Sequence, residues 1–68
     1  MVRVRFVIQP HSEGGYVIFR DSQLAGVAVT LERARSFAAR LAENETRAGR
    51  MGRVVQTDLG GNVVETQR

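Results

Sequence analysis

The sequence predicts an α+β domain: one antiparallel sheet of four to five short strands with a single helix, about 31–48, packed on one face. Three observations lead there. One stretch, residues 30–49, has helical periodicity with start and stop signals at its two ends. The segments on either side are short apolar runs separated by turn residues. A chain of 68 residues makes one domain, 1–68, so all these elements share one core. Their order is β-β-(β)-α-β-β.

Residues 2–9, VRVRFVIQ, alternate strictly. Val2, Val4, Phe6 and Ile8 fall on one face; Arg3, Arg5, Val7 and Gln9 fall on the other. That is the pattern of a half-buried strand. Pro10, which has no N–H to give a ladder, is expected to end it. HSEGG, residues 11–15, reads as a turn whose glycines accept positive φ. The second strand is YVIFR, 16–20, antiparallel to the first. Tyr16 and Ile18 share one side, Val17 and Phe19 the other. Apolar residues on both sides suggest a central strand or a face covered by a second subunit.

After a turn at 21–23, LAGVAV, 24–29, is a weaker strand that Gly26 should break or bulge. Thr30 is a suitable N-cap for the helix, and Glu32 complements the dipole in the first turn. Leu31, Ala34, Phe37, Ala38, Leu41 and Ala42 lay one apolar stripe along it. Phe37 and Leu41 are expected to be its large core anchors, with the alanines allowing close approach to a sheet. Glu43 and Arg47 form a favourable i,i+4 pair. Gly49 suits the position that turns the chain out of the helix. RVVQT, 53–57, and VVET, 63–66, read as an antiparallel hairpin joined by DLGGN, with the last residues, 66–68, fraying.

Composition excludes several kinds of chemistry. With no cysteine there is no disulfide, thiolate metal site or cysteine nucleophile. A single histidine excludes a multi-histidine metal site. No cofactor is expected. No apolar run approaches the ~20 residues of a membrane-spanning helix. The N-terminus has a basic start but only FVI as its apolar part and no small-residue cleavage site, so a cytoplasmic protein is expected.

Catalytic motifs are equally sparse. His11 lies in a turn, and its sequence neighbours Ser12 and Glu13 do not make a triad, because triads are assembled from distant positions. It reads as a solvated turn histidine. Gly14-Gly15 and Gly60-Gly61 each lie between strands rather than before a helix, so they read as hairpin turns and not as phosphate loops. An enzyme is not expected.

All ten basic residues are arginine, and the net charge is +3. Arginine offers bidentate phosphate recognition. A GC-rich coding sequence, which also favours alanine, glycine and valine, accounts for the same bias without any ligand. The candidate contact residues for nucleic acid or a protein partner are Arg3 and Arg5 on the first strand, Arg33, Arg40 and Arg47 on one helix face, and Arg50 and Arg53 around the helix exit. Contacts from such a stripe would be salt-sensitive and independent of sequence. Glu32, Glu43 and Glu45 dilute the helix field, and few aromatics are present for base stacking.

Gly15-Tyr16-Val17-Ile18, Thr30 followed by Ala34, Ala38 and Ala42, and Val54-Val55 through Asp58 and Gly60 to Val64 together resemble a small bacterial family of stand-alone domains of unknown function. That family usually has tryptophan at the position of Tyr16 and a tighter turn than Asp58-Leu59-Gly60-Gly61. The resemblance spans nearly the whole chain and implies no activity. Phe6-Val7-Ile8 to Gly14-Gly15-Tyr16-Val17 also looks similar to the opening of HicB-like antitoxins, which would imply a toxin partner or nucleic acid. Their proline- and glycine-bearing segment before the helix is replaced here by Ala25-Gly26-Val27.

A two-layer domain this small cannot cover the second face of its sheet alone, which argues for a homodimer through a sheet face or edge. The expectation is therefore a non-enzymatic interaction module that partners itself, with no membrane and no small-molecule substrate. The alternative is a basic accessory or antitoxin-like protein that contacts nucleic acid.

Overall fold

The computed structural model describes residues 2–64. Its elements follow the expected order: β1 (Arg3–Pro10), β2 (Tyr16–Arg20), β3 (Gln23–Ala28), α1 (Leu31–Arg47), β4 (Met51–Thr57) and β5 (Val63–Val64). The five strands form one sheet in the order β3-β2-β1-β4-β5, and α1 packs on one of its faces. This is the expected α+β fold. Residues 65–68, with the end of the predicted last strand and the predicted fraying, lie outside the described residues.

The sheet is mixed rather than wholly antiparallel. β1 pairs with β2, β2 with β3 and β4 with β5 antiparallel, but β1 and β4 run parallel, with Arg5 opposite Arg53 and Phe6 opposite Val54. Two hairpins leave β3 running in the same direction as β1. The helix then returns the chain to the starting end of the sheet, so β4 must run the same way again. A parallel neighbour needs such a crossover connection. β4 starts at Met51, two residues before the predicted position, because Met51 N–H donates to the Val2 carbonyl (2.8 Å) as soon as the helix ends. Pro10 closes β1 from inside the strand, opposite Tyr16.

The alternation along β1 is the one its sequence predicts. Val4, Phe6 and Ile8 are buried with Ile18, Ala34 and Ala38. The helix contributes small residues to the centre and large ones to the margins, which corrects the expected anchors. Phe6, Ile8 and Ile18 are the large fully buried side chains, whereas Phe37 and Leu41 are only partly buried. Two alanines at the contact let the helix axis approach the sheet, and the strands then supply the volume.

Two glycines make that approach feasible. A Cβ on Gly52 would lie 2.5 Å from the Ala42 carbonyl oxygen and 2.7 Å from its Cα. A Cβ on Gly26 would collide with the Phe37 ring. Gly26 therefore does not break β3 but does mark its bulge, the second of the two expected outcomes. β3 runs through it, and the register shifts beside it, where Ile18 pairs with Gly26 and Phe19 with Leu24, leaving Ala25 between them.

The helix ends are built as predicted. Thr30 is extended (φ −124°, ψ 159°), and its Oγ1 accepts the Arg33 N–H at 3.1 Å. At the other end Gly49 has φ 89°, Gly49 N–H donates to the Thr46 carbonyl (3.0 Å), and Arg50 N–H to the Glu45 carbonyl (2.9 Å). That pair of bonds is a Schellman motif, which glycine permits by entering the left-handed region.

Candidate interaction surface

The helix covers one face of the sheet, so every residue of opposite parity stands on the other. On β1 these are Arg3, Arg5, Val7 and Gln9; on β2, Val17 and Phe19; on β4, Met51, Arg53, Val55 and, by alternation, Thr57. The registers align them into rows. Leu24, Phe19, Val7 and Val55 form one apolar row across β3, β2, β1 and β4. Val27 and Val17 begin a second, with Gln9 beside them. Leu24 is 62% exposed and Val27 71%. Leu59 and Pro10 join Phe19, Val17 and Leu24 around a shallow hollow on this face. Val7, Val17, Phe19 and Val55 are half-buried, so the face carries a continuous, partly exposed apolar strip rather than scattered single residues.

The arginines singled out in the sequence do not make one surface. Arg3, Arg5 and Arg53 share the open sheet face at the end where β1 and β4 begin, with Arg5 directly opposite Arg53. Among the described residues none of these three is in an ion pair. Arg33, Arg40 and Arg47 lie on the exposed side of α1, on the far side of the core. Arg33 and Arg40 border an open hollow with Thr30, Glu32, Ser36 and Phe37. Arg47 pairs with Glu43 at 3.6 Å, the predicted i,i+4 contact. Arg50 stays partly exposed and pairs with Glu45.

Glu45 is a structural centre that its sequence context does not mark. Its Oε1 accepts from Arg50 Nε and its Oε2 from Arg20 Nε at 3.2 Å. Arg20 lies 25 residues away at the end of β2, so nothing local signals the contact. The cluster ties the helix C-terminus to β2 and to the start of β4. The Arg50 hydrogen bond first, and the Arg20 bond second, hold the Glu45 carboxyl below its ordinary value near 4.5, against the opposing effect of desolvation. In the folded state Glu45 thus stays ionised to lower pH than in the unfolded chain. Its stabilising contribution is complete above about pH 4.5 and is lost as pH falls through the depressed pKa. Urea titrations at stepped pH check this. Glu45→Gln should be less stable than wild type at pH 7 and should lose less stability on acidification, so that the two converge at low pH.

His11 is occupied with its own turn. Its Nδ1 accepts the Glu13 N–H at 3.1 Å, while its backbone bonds Gly14 and Gly15. Asp21 does comparable work between β2 and β3. At φ 56° it turns the chain, its N–H donates to the Arg5 carbonyl (2.6 Å), and its Oδ1 accepts the Arg5 N–H (3.1 Å). Aspartate tolerates this left-handed conformation. Both glycine pairs lie in strand-to-strand turns, and Gly61 N–H and Asn62 N–H both bond Asp58. Among the described residues no three His, Asp or Glu side chains gather as metal ligands. No helix there is long and apolar enough to cross a membrane.

No family model, curated protein or solved structure matches this chain. The sheet face and its arginines are thus the whole basis for a functional reading.

Proposed function

We propose that this domain is a non-enzymatic interaction module, acting in the cytoplasm, whose contact surface is its sheet and whose partner is a second copy of itself. One observation carries the reading. The band Leu24–Phe19–Val7–Val55 crosses four strands on the face that the single helix leaves open. Burying apolar area is worth about 25 cal/mol per Å², and a monomer forgoes that on this face. Light scattering or sedimentation from low to high micromolar concentration is the test. A concentration-dependent shift to twice the monomer mass is expected; a monomer throughout removes the reading.

A second reading has its own observation. Arg5 and Arg53 are directly opposite on adjacent strands, and like charges so placed repel. An anion bound over them relieves the repulsion, so contact with a nucleic-acid backbone, in an accessory or antitoxin-like protein, is the alternative. Retardation of a random duplex that weakens steeply with salt supports it. No retardation at low salt eliminates it.

A further inference from the structure

We infer that two copies stack open face on open face with their strands antiparallel, so that Arg3, Arg5 and Arg53 of one copy meet the end of the other that carries Glu13 and Asp58. The inference rests on the self-association proposed above and supplies its geometry.

The edges of the sheet are shorter or more interrupted than its open face. β3 has a register shift at its middle, with Ala25 left between paired residues. Such a bulge twists an edge and interrupts the ladder that a partner strand would extend. On the opposite side β5, Val63–Val64 among the described residues, lies along only Gln56 and Thr57 of β4. The open face is larger. The five strands have eight, five, six, seven and two residues, and at ~3.3 Å rise and ~4.8 Å spacing they present roughly 440 Å². Two copies then bury about 900 Å², the size of a weak, concentration-dependent contact.

Charge selects the orientation. Arg3, Arg5 and Arg53 occupy the end of the face where β1 and β4 start. Asp21 is at that end too, its Oδ1 accepting the Arg5 N–H, so three arginines there outweigh one carboxylate. Beyond the other end of the strands come the turns at 11–15 and 58–62, whose residues His11, Ser12 and Leu59 border the open-face hollow with Phe19. Those turns carry Glu13, which is exposed and in no ion pair among the described residues, and exposed Asp58. One Asp58 oxygen accepts the Asn62 N–H, and the other is left for a partner.

A two-fold axis lying in the interface can run along the strands or across them. Along the strands it places the arginine end on the arginine end. Across them it sets each arginine end against the acidic turns of the other copy. Like charges brought together in a contact are strongly unfavourable, while opposite charges set the register. The axis across the strands is therefore the one that the surface favours, and the apolar rows meet in the middle in either copy's frame.

The test begins with the wild type. If it is a monomer at every concentration, the self-association reading fails and takes the geometry with it. If it dimerises, charge reversal decides the geometry alone. Arg5→Glu with Arg53→Glu should raise the dimer dissociation constant about ten-fold or more, and so should Glu13→Arg with Asp58→Arg. All four changes together should restore much of the affinity, because both ends have then exchanged sign. Arg5, Arg53 and Glu13 are exposed, so far-UV circular dichroism should stay unchanged on replacing them; Asp58→Arg also removes the acceptor of the Asn62 N–H, so Glu13→Arg alone, which should weaken the dimer in the same direction, separates charge from turn loss. Since the chain has no cysteine, engineered thiols report position directly. A mixture of Arg5→Cys and Glu13→Cys should form a disulfide-linked heterodimer, and Arg5→Cys alone should not link to itself. A dimer indifferent to charge reversal, or one in which Arg5→Cys self-links, overturns the antiparallel stack while leaving self-association standing.

Discussion

Replacing Phe6 by alanine should remove about 3–5 kcal/mol and leave the domain largely unfolded at room temperature. Phe6 is 1% exposed on the central strand and packs with Ile8, Ile18, Ala34 and Ala38. The surrounding groups cannot collapse into the vacated volume. Ala34 and Ala38 have no side chain to extend, and their helix already sits against Gly52. Stability scales as roughly 0.05–0.15 kcal/mol per residue, so a chain this short has only a few kcal/mol to lose. Urea denaturation followed by circular dichroism reads the effect. The paired control is Phe37→Ala. Its side chain is only partly buried, at the margin over Gly26, so it should lose clearly less and stay folded. Equal losses at the two positions would contradict this account of the core.

A single methyl group at Gly52 is the second large effect. An alanine there would place its Cβ within 3 Å of three backbone atoms of Ala42. Backbone in mid-helix cannot swing aside as a side chain can, so the helix must lift from the sheet. Overpacking of this kind costs ~1–3 kcal/mol, and the upper end is expected because the whole helix must move. Gly26→Ala meets only the Phe37 ring, which can rotate outward, and should be milder. Gly60→Ala is a useful third variant, because its Cβ would sit 3.5 Å from its nearest neighbours, ordinary contact. Thermal melts of the three should rank Gly52→Ala well below Gly26→Ala, with Gly60→Ala nearest wild type. A Gly52→Ala melt matching wild type would mean the helix does not rest on β4 as described.

Much of the fold is legible in the sequence because it is periodic or locally capped. The alternation of β1 is enough to place Val4, Phe6 and Ile8 in the core and Arg3 and Arg5 on the open face. Thr30 and Gly49 mark the helix ends, since their roles depend on bonds to residues three to five positions away. Less is legible where distant partners decide. Gly26 reads as a break or a bulge; the bulge is there, but sequence shows only a missing side chain and not the Phe37 ring that occupies its place. Phe37 reads as the central anchor because size suggests burial, while the contact centre goes to alanines that let the helix approach.

The candidate surface divides in the same way. Arg33, Arg40 and Arg47 share a helix face by spacing alone, and Arg3 and Arg5 share a strand face likewise. Which arginines act together is decided by pairing. β4 beside β1 puts Arg53 opposite Arg5, and the crossover puts the helix arginines on the other side of the core. Arg50 differs from the other candidates because the fold brings Glu45, itself bound to Arg20, against it.

By itself the sequence determined the class of fold, the order of the elements, the helix limits and the lack of thiol chemistry, because these depend on composition and on neighbours within one turn or one strand. Only the tertiary structure decided that β4 lies parallel to β1, that one sheet face remains open with an apolar row and an arginine end, and that Glu45 joins Arg20 to Arg50. Those features depend on residues tens of positions apart. Their encounter is set by the packing of the helix across the sheet, which no local pattern records.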